Sequence, residues 1–202
     1  MGCCEQRQSV SDHFRTSCEA LDRASRDEAL MTCILAIAGA ITDAFRAGGK
    51  VLIAGNGGSA ADAQHIAGEM LSRMNHDRNP LPAIALTTDT SVLTAVGNDY
   101  GFDHVFERQI RGLGRRGDIF VAISTSGRSP NVMSALRAAR ELGLVTIGFT
   151  GDGPREMNDL CDHCLAAPAT ATPVIQQIHI VAAHAICGLV EDALFPRNNG
   201  PG

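Results

Sequence analysis

The sequence predicts an α/β domain built on a mainly parallel, five-stranded sheet flanked by helices. Short, continuously apolar runs alternate with longer segments whose apolar residues recur at helical spacing, as expected for strands covered on both faces by helices. Several runs end in glycine-rich or hydroxyl-rich loops. With 202 residues and 45% apolar side chains, the chain is long enough for one filled domain and short for two.

The N-terminal segment is predicted to be a helical extension of this domain. Residues 10–47 lack proline and carry apolar side chains at helical spacing, which indicates one long helix or two consecutive helices. These apolar positions are Leu30, Ile34, Ile37, Ile41 and Phe45. Gly48 and Gly49 end the helical pattern, so we divide the chain into an extension over 1–47 and a core over 48–196.

The remaining elements follow in alternation. Strands are predicted over residues 50–54, 80–86, 118–123, 144–149 and 161–166. Helices are predicted over 60–71, from about 91, near 103–112, over 132–142 and over 173–194. Pro130 suits the first position of the fourth of these helices, and Asn98–Gly101 is predicted to be a turn.

Composition disfavours several classes of partner. The net charge of −5 and the pI near 5.8 argue against general binding to nucleic acid or an anionic membrane. No run approaches 18 uninterrupted apolar residues, and the first residues lack the apolar core of a signal peptide.

Seven scattered cysteines indicate reduced thiols in a cytoplasmic protein. Cys161 and Cys164 lack a second pair for a zinc site, so we predict two half-buried residues on a strand.

A glycine-rich loop follows the first predicted strand. Three glycines surround Asn56, and a helix begins directly afterwards, with Ser59 predicted as its cap. Free backbone N–H groups at such a strand-to-helix turn can bind an anion. On the helix, His65 and Glu69 lie four residues apart and therefore share a face. They can hold a metal or move protons, although a solvent-facing pair worth a few tenths of a kcal/mol has the same spacing.

A hydroxyl-rich loop follows the third predicted strand. Four hydroxyl groups stand within six residues, immediately before a helix; they belong to Ser124, Thr125, Ser126 and Ser129. Hydroxyls and free amides at the positive end of a helix can hold a phosphate group, while turn and capping chemistry alone would use the same residues. In a parallel sheet this loop and the glycine-rich loop lie on one edge. Neither matches a nucleotide-binding signature.

The closing helix carries polar side chains in an otherwise apolar segment. They are Gln176, Gln177, His179 and His184. We expect His179 to be a hydrogen-bonded core residue. His184 lies between two alanines, which leave room around its ring, and a histidine and a carboxylate can both exchange protons near neutral pH. Glu69 and His184 are therefore our candidate acid–base pair.

Taken together, these motifs resemble the phosphoheptose isomerases, which have the sugar-isomerase (SIS) fold. The resemblance extends from about residue 30 to 196. It rests on residues 54–69 (AGNGGSAADAQHIAGE), 85–91 (ALTTDTS), 97–101 (GNDYG), 123–131 (ISTSGRSPN) and 175–184 (IQQIHIVAAH).

The resemblance implies an aldose–ketose isomerase that converts sedoheptulose 7-phosphate into D-glycero-D-manno-heptose 7-phosphate for lipopolysaccharide or capsule synthesis. It implies Glu69 and His184 as the catalytic acid–base pair in an enediol mechanism. It also implies one zinc ion per subunit, held by His65, Glu69, Gln176 and His184, and a homotetramer with active sites near subunit boundaries. The implied substrate-binding residues are Asn56, Gly57, Gly58, Ser59, Glu69, Asn98, Asp99, Ser124, Thr125, Ser126, Ser129 and Gln176.

The chain departs from the family pattern before its closing helix. Val174 stands where many members have a basic residue, Gln177 replaces an acidic one, and Thr170–Ala171 lacks the acidic residue often found there. Two alternatives remain open. One is a non-catalytic SIS-fold adaptor of the replication initiator, which lacks the carboxylate and imidazole at positions 69 and 184. The other is an SIS-domain isomerase or sensor of a different phosphosugar.

Overall fold

The sheet has five strands, all parallel, in the order β2-β1-β3-β4-β5. We describe it from a computed structural model, which covers residues 3–153 and 155–197. The strands are β1 (Val51–Gly55), β2 (Ala83–Ala85), β3 (Ile119–Ile123), β4 (Val145–Gly151) and β5 (His163–Ala167). All five predicted strands are present, which confirms the predicted fold class.

Eight α-helices accompany the strands within the described residues. They are α1 (Cys3–Ser25), α2 (Glu28–Arg46), α3 (Gly58–Leu71), α4 (Thr90–Tyr100), α5 (Glu107–Leu113), α6 (Pro130–Leu142), α7 (Glu156–Leu160) and α8 (Thr172–Leu194). The N-terminal segment forms two helices because Asp27 starts α2, its side chain accepting hydrogen bonds from the backbone of Ala29 and Leu30.

Two local predictions differ from the structure. Asn98 and Asp99 belong to α4, which continues to Tyr100, so the predicted turn is wrong for them. Ser59 does not cap α3, since that helix begins one residue before it with Gly57 at the cap position, and Ser59 is buried. The short helix α7 was not predicted. Cys164 lies on β5 and Cys161 precedes it, both half-buried as expected.

The core forms two layers, one on each face of the sheet. Alternate residues of β1 point to opposite faces: Val51 and Ile53 pack with α1, α2, α3 and α8, whereas Leu52 packs with α4–α7. All three have no exposed surface. Because both faces of the sheet are covered by helices, a ligand is expected to bind beyond the carboxyl ends of the strands.

Helices α2 and α8 are each long and apolar enough to cross a membrane, judged by length and composition. In the structure they pack against one another and contribute Ile34, Ile37, Ile178 and Ile186 to the core over the sheet. Core helices of this kind meet the same criterion, so the finding is weak evidence for a membrane protein.

Candidate active site

The two polar loops emerge side by side at the carboxyl ends of β1 and β3. These strands are neighbours, and Gly55, the last residue of β1, is paired with Ile123, the last of β3. The glycine-rich loop therefore begins beside the hydroxyl-rich loop, and each opens a helix, α3 or α6. Both helices thus direct the positive ends of their dipoles toward the same edge of the sheet.

A pair of asparagines joins the two loops. Nδ2 of Asn56 donates to Oδ1 of Asn131 at 2.9 Å, and Nδ2 of Asn131 donates back to Oδ1 of Asn56 at 2.9 Å. Asn131 is buried in the first turn of α6, whereas Asn56 is only half-buried. Asn131 was not among the predicted site residues, although it stands in the motif after the hydroxyl-rich loop. Its amide holds Asn56 in a defined orientation at the mouth of the site.

The hydroxyl-rich loop is organised around the buried Ser124. Its Oγ lies 2.9 Å from Oγ of Ser129 and 3.4 Å from Oγ of Ser126. Ser129 stands at the cap position of α6, but its hydroxyl makes no capping hydrogen bond. The N-terminal end of α6, where the helix dipole is positive, and the hydroxyls of the half-buried Thr125 and the exposed Ser126 thus lie where a phosphate group could bind.

His65, Glu69 and His184 converge on one point, although position 184 is 119 residues from position 65. The two Nε2 atoms of the histidines are 2.8 Å apart, and Nε2 of His65 is 3.3 Å from Oε1 of Glu69. One donor atom from each residue lies within 4.8 Å of the others. His65 is exposed and the other two are half-buried, so the cluster is open to a ligand.

Gln176, near the beginning of α8, contacts the N-terminal end of α3. Its side-chain amide lies against the backbone of Gly58, where a Cβ atom would be only 2.4 Å from Nε2 of Gln176. Residue 58 is therefore a glycine because α3 and the Gln176 side chain share this space. Gln176 and His184 lie on one helix, as predicted from the sequence.

Two predicted residues are less closely connected to this group. Asn98 and Asp99 are exposed near the end of α4, where Nδ2 of Asn98 donates to Oδ1 of Asp99 at 2.7 Å. Within the described residues, no side-chain hydrogen bond joins them to either loop. The structure thus brings together three of the four predicted zinc ligands, which include both predicted acid–base residues, more tightly than the predicted substrate contacts.

Asp62 contributes to the electrostatics of α3 one turn before His65. Its Oδ2 is buried and has no hydrogen-bond partner among the described residues. Burial raises the pKa of Asp62, and the nearby His65 partly offsets this shift. No sequence motif pointed to Asp62.

Comparison with known proteins identifies the family. A family model described as the SIS domain matches residues 13–151. The chain is 59% identical to a phosphoheptose isomerase of Bradyrhizobium sp. (strain ORS 278) over 186 residues, covering 92% of this chain and 94% of the relative. The chain belongs to the phosphoheptose isomerases. The predicted family membership is therefore confirmed, and the protein is an enzyme, an aldose–ketose isomerase.

Solved structures agree with this assignment. A phosphoheptose isomerase from Neisseria gonorrhoeae has a TM-score of 0.86 and 43% sequence identity, covering 93% of this chain and 99% of that chain. One from Francisella tularensis has a TM-score of 0.88 and 35% identity, covering 93% and 98%. The enzyme's two polar loops and α3 fall within the residues that the SIS family model matches, whereas Gln176 and His184 lie beyond them.

Proposed function

We propose that this enzyme converts sedoheptulose 7-phosphate into D-glycero-D-manno-heptose 7-phosphate in the cytoplasm, for the synthesis of surface glycans such as lipopolysaccharide or capsule. The observation that carries the proposal is the convergence of His65, Glu69 and His184 at α3, the helix that the glycine-rich loop opens. The relatives named phosphoheptose isomerase support the same substrate class. Retention of Glu69 and His184 favours an isomerase over the adaptor alternative.

In the proposed enediol mechanism, Glu69 and His184 divide the proton transfers. One removes a proton from C1 of the ketose, and the electron pair forms the C1–C2 double bond while O2 takes up a proton. The enediol then loses the proton on O1 and gains one at C2, which yields the aldose. Oε1 of Glu69 faces His65, so we assign proton abstraction by this carboxylate to Oε2.

The proposed substrate contacts follow the two loops. Ser124, Thr125, Ser126 and Ser129, at the positive end of the α6 dipole, would bind the phosphate group. Asn56, Gly57, Gly58 and Ser59, with Gln176, would orient the sugar. Asn98 and Asp99 remain proposed sugar contacts from the family resemblance.

His65, Glu69, Gln176 and His184 would hold a zinc ion. Imidazole nitrogens and a carboxylate oxygen are ligands that zinc prefers, and three such atoms already lie within 4.8 Å of one another. When bound, zinc would act as a Lewis acid toward the sugar oxygens.

The direct test is an assay with sedoheptulose 7-phosphate and protein that is either zinc-loaded or chelated. We expect aldose formation by the zinc-loaded protein alone. Turnover by both samples would contradict the zinc requirement. No turnover of this sugar, with turnover of another phosphosugar, would favour the alternative of a different isomerase.

We also propose that the enzyme is a homotetramer. An apolar groove between α1, α2 and α8 exposes 60% of Leu35, 52% of Val181 and 39% of Leu189. Surfaces of this kind are typical of subunit contacts. Val181 and Ala185, which line the groove, flank His184 on α8, so a second copy seated there would lie close to the active site.

A further inference from the structure

A buried ion pair lies behind the candidate active site. Nε of Arg78 lies 3.1 Å from Oε2 of Glu191, and the side chains of these residues are 2% and 0% exposed. Arg78 belongs to the segment between α3 and β2, and Glu191 lies near the end of α8. The pair therefore connects the two helices that carry Glu69 and His184.

Arg78 also binds the C-terminal end of α3. Its Nη2 donates to the backbone oxygen of Glu69 at 2.8 Å, and its Nη1 donates to the backbone oxygen of Met70 at 2.6 Å. Carbonyl groups in the last turn of a helix lack partners within the helix. A planar guanidinium group supplies several donors in fixed directions, which a lysine cannot do. Arg78 thus fixes the backbone of the residue proposed as a catalytic carboxylate.

The carboxylate of Glu191 is fixed by backbone hydrogen bonds as well as by Arg78. Its carboxylate accepts hydrogen bonds from the backbone N–H groups of Met74 at 2.8 Å, Asn75 at 2.7 Å and His76 at 3.2 Å. Burial raises the pKa of Glu191, but these N–H groups and Arg78 outweigh it and lower the pKa overall. The carboxylate is therefore ionised and ties α8 to the segment that follows α3.

The position of Glu191 on α8 connects this pair to the active site. It lies seven residues after His184, which is two helical turns, so both side chains leave the same side of α8 about 10 Å apart along its axis. A continuous path runs from the Glu69 carbonyl through Arg78 and Glu191 to α8 and back to His184. Replacing a buried ion pair by apolar residues often costs little stability, so stability alone does not account for this pair.

We propose that Arg78 and Glu191 are positioning residues that hold α3 and α8 in the register at which Glu69 and His65 meet His184. For turnover this inference rests on the proposed function, because it concerns the same acid–base pair. A small displacement of reacting groups is costly in catalysis, since about 1 Å can reduce the rate about 100-fold.

The test compares Arg78→Lys with Arg111→Lys, a matched control whose arginine pairs with Glu107 and Glu141 on the opposite face of the sheet. We expect Arg78→Lys to lower kcat by about 10- to 100-fold and to leave KM within about twofold. It should also shift the ring signals of His65 and His184 in histidine-selective NMR spectra of the folded protein. Glu191→Gln should shift the same signals, and it provides a second variant if Arg78→Lys does not fold.

Unchanged His65 and His184 signals in the folded variants would overturn the proposal, as would a kcat of Arg78→Lys equal to that of Arg111→Lys. A purely stabilising role would lower the unfolding temperature without moving these signals. Failure of the wild-type protein to turn over sedoheptulose 7-phosphate would instead contradict the proposed function. The NMR comparison would still decide the role of the Arg78–Glu191 pair.

Discussion

Glu69 takes part in more contacts than any other residue proposed for catalysis. Its Oε1 faces His65, its backbone oxygen accepts from Arg78, and its side chain is half-buried beside His184. Glu69 is thus a proposed metal ligand and a proposed acid–base residue, and it also contacts the Arg78–Glu191 ion pair through its backbone oxygen. A substitution that changes only the charge of this side chain alters its proposed chemistry and leaves the backbone contact with Arg78 in place.

We predict that Glu69→Gln lowers kcat at least about 1,000-fold, because an amide cannot remove a proton from carbon. Binding of the sugar phosphate, measured by calorimetry, should change only a few-fold, since the loops that would bind the phosphate are untouched. Glu141→Gln, at an exposed position on α6, is the control and should remain fully active. Substantial turnover by Glu69→Gln would rule out Glu69 as an acid–base residue.

At the scale of elements, the contact between α3 and α8 is decided by small residues. Gly58, at the start of α3, leaves space for the side chain of Gln176 on α8. His179, on the same helix as Gln176, is buried and lies 3.0 Å from the Thr150 oxygen, as expected for a core histidine. These contacts lead to two predictions about α8.

We predict that Gly58→Ala impairs the active site without weakening the fold. The three atoms nearest to the new Cβ all belong to the movable end of Gln176, which must withdraw, while alanine in a helix is more favourable than glycine by up to about 1 kcal/mol. The variant should therefore unfold at an equal or higher temperature but have a lower kcat/KM. Gly68→Ala, on the same helix with open space around it, is the control. Equal activity of the two variants would show that Gln176 has no role in turnover.

We predict that His179 makes the fold less stable in mild acid. Burial lowers the pKa of His179 from 6.5 to about 4, and its hydrogen bond to Thr150 offsets this only in part. The unfolded chain therefore binds a proton in a pH range where the folded chain does not. The free energy of unfolding is therefore unaffected by His179 protonation above pH 6.5, and it falls by about 3 kcal/mol as the pH drops to about 4.

Urea unfolding at pH 7 and pH 4.5 tests this contribution. The loss of unfolding free energy between the two values should be smaller by roughly 2–3 kcal/mol in His179→Gln than in the wild-type protein. His13→Gln, at an exposed site on α1, should behave like the wild type. An identical pH dependence in His179→Gln would contradict the assignment.

At the scale of the whole molecule, helices α1, α2 and α8 form a surface with an exposed apolar groove. Leu35 and Val181 line an apolar groove that no described residue covers. An open apolar groove of this kind is expected where a second subunit binds.

We predict that Val181→Glu disrupts the proposed tetramer, because each copy would bring a charge into an apolar contact. Light scattering should give about 85 kDa for the wild type, four times the 21.3 kDa chain, and a smaller species for the variant. Leu113→Glu, at an exposed apolar site on α5, is the control. A wild-type protein that is monomeric and fully active would contradict the proposal.

Much of the secondary structure of this enzyme could be predicted from local patterns in its sequence. Apolar runs predicted all five strands, helical spacing predicted the long helices, and the motifs around Asn56, His65 and Ser124 indicated which loops we propose for the site. Patterns failed where two local signals compete. Ser59 has the right chemistry for a cap, but Gly57 takes that position, and Asn98 has a turn-forming side chain inside α4.

What the sequence determined by itself is therefore the class of fold, the family, and the kinds of side chain available for chemistry, because these depend on periodicity and on residues close together in the chain. The tertiary structure alone decided how distant residues meet. Asn56 pairs with Asn131 across 75 residues, and Arg78 pairs with Glu191 across 113. Such contacts leave no periodic trace, since each depends on the packing of whole helices against the sheet that brings its two partners together.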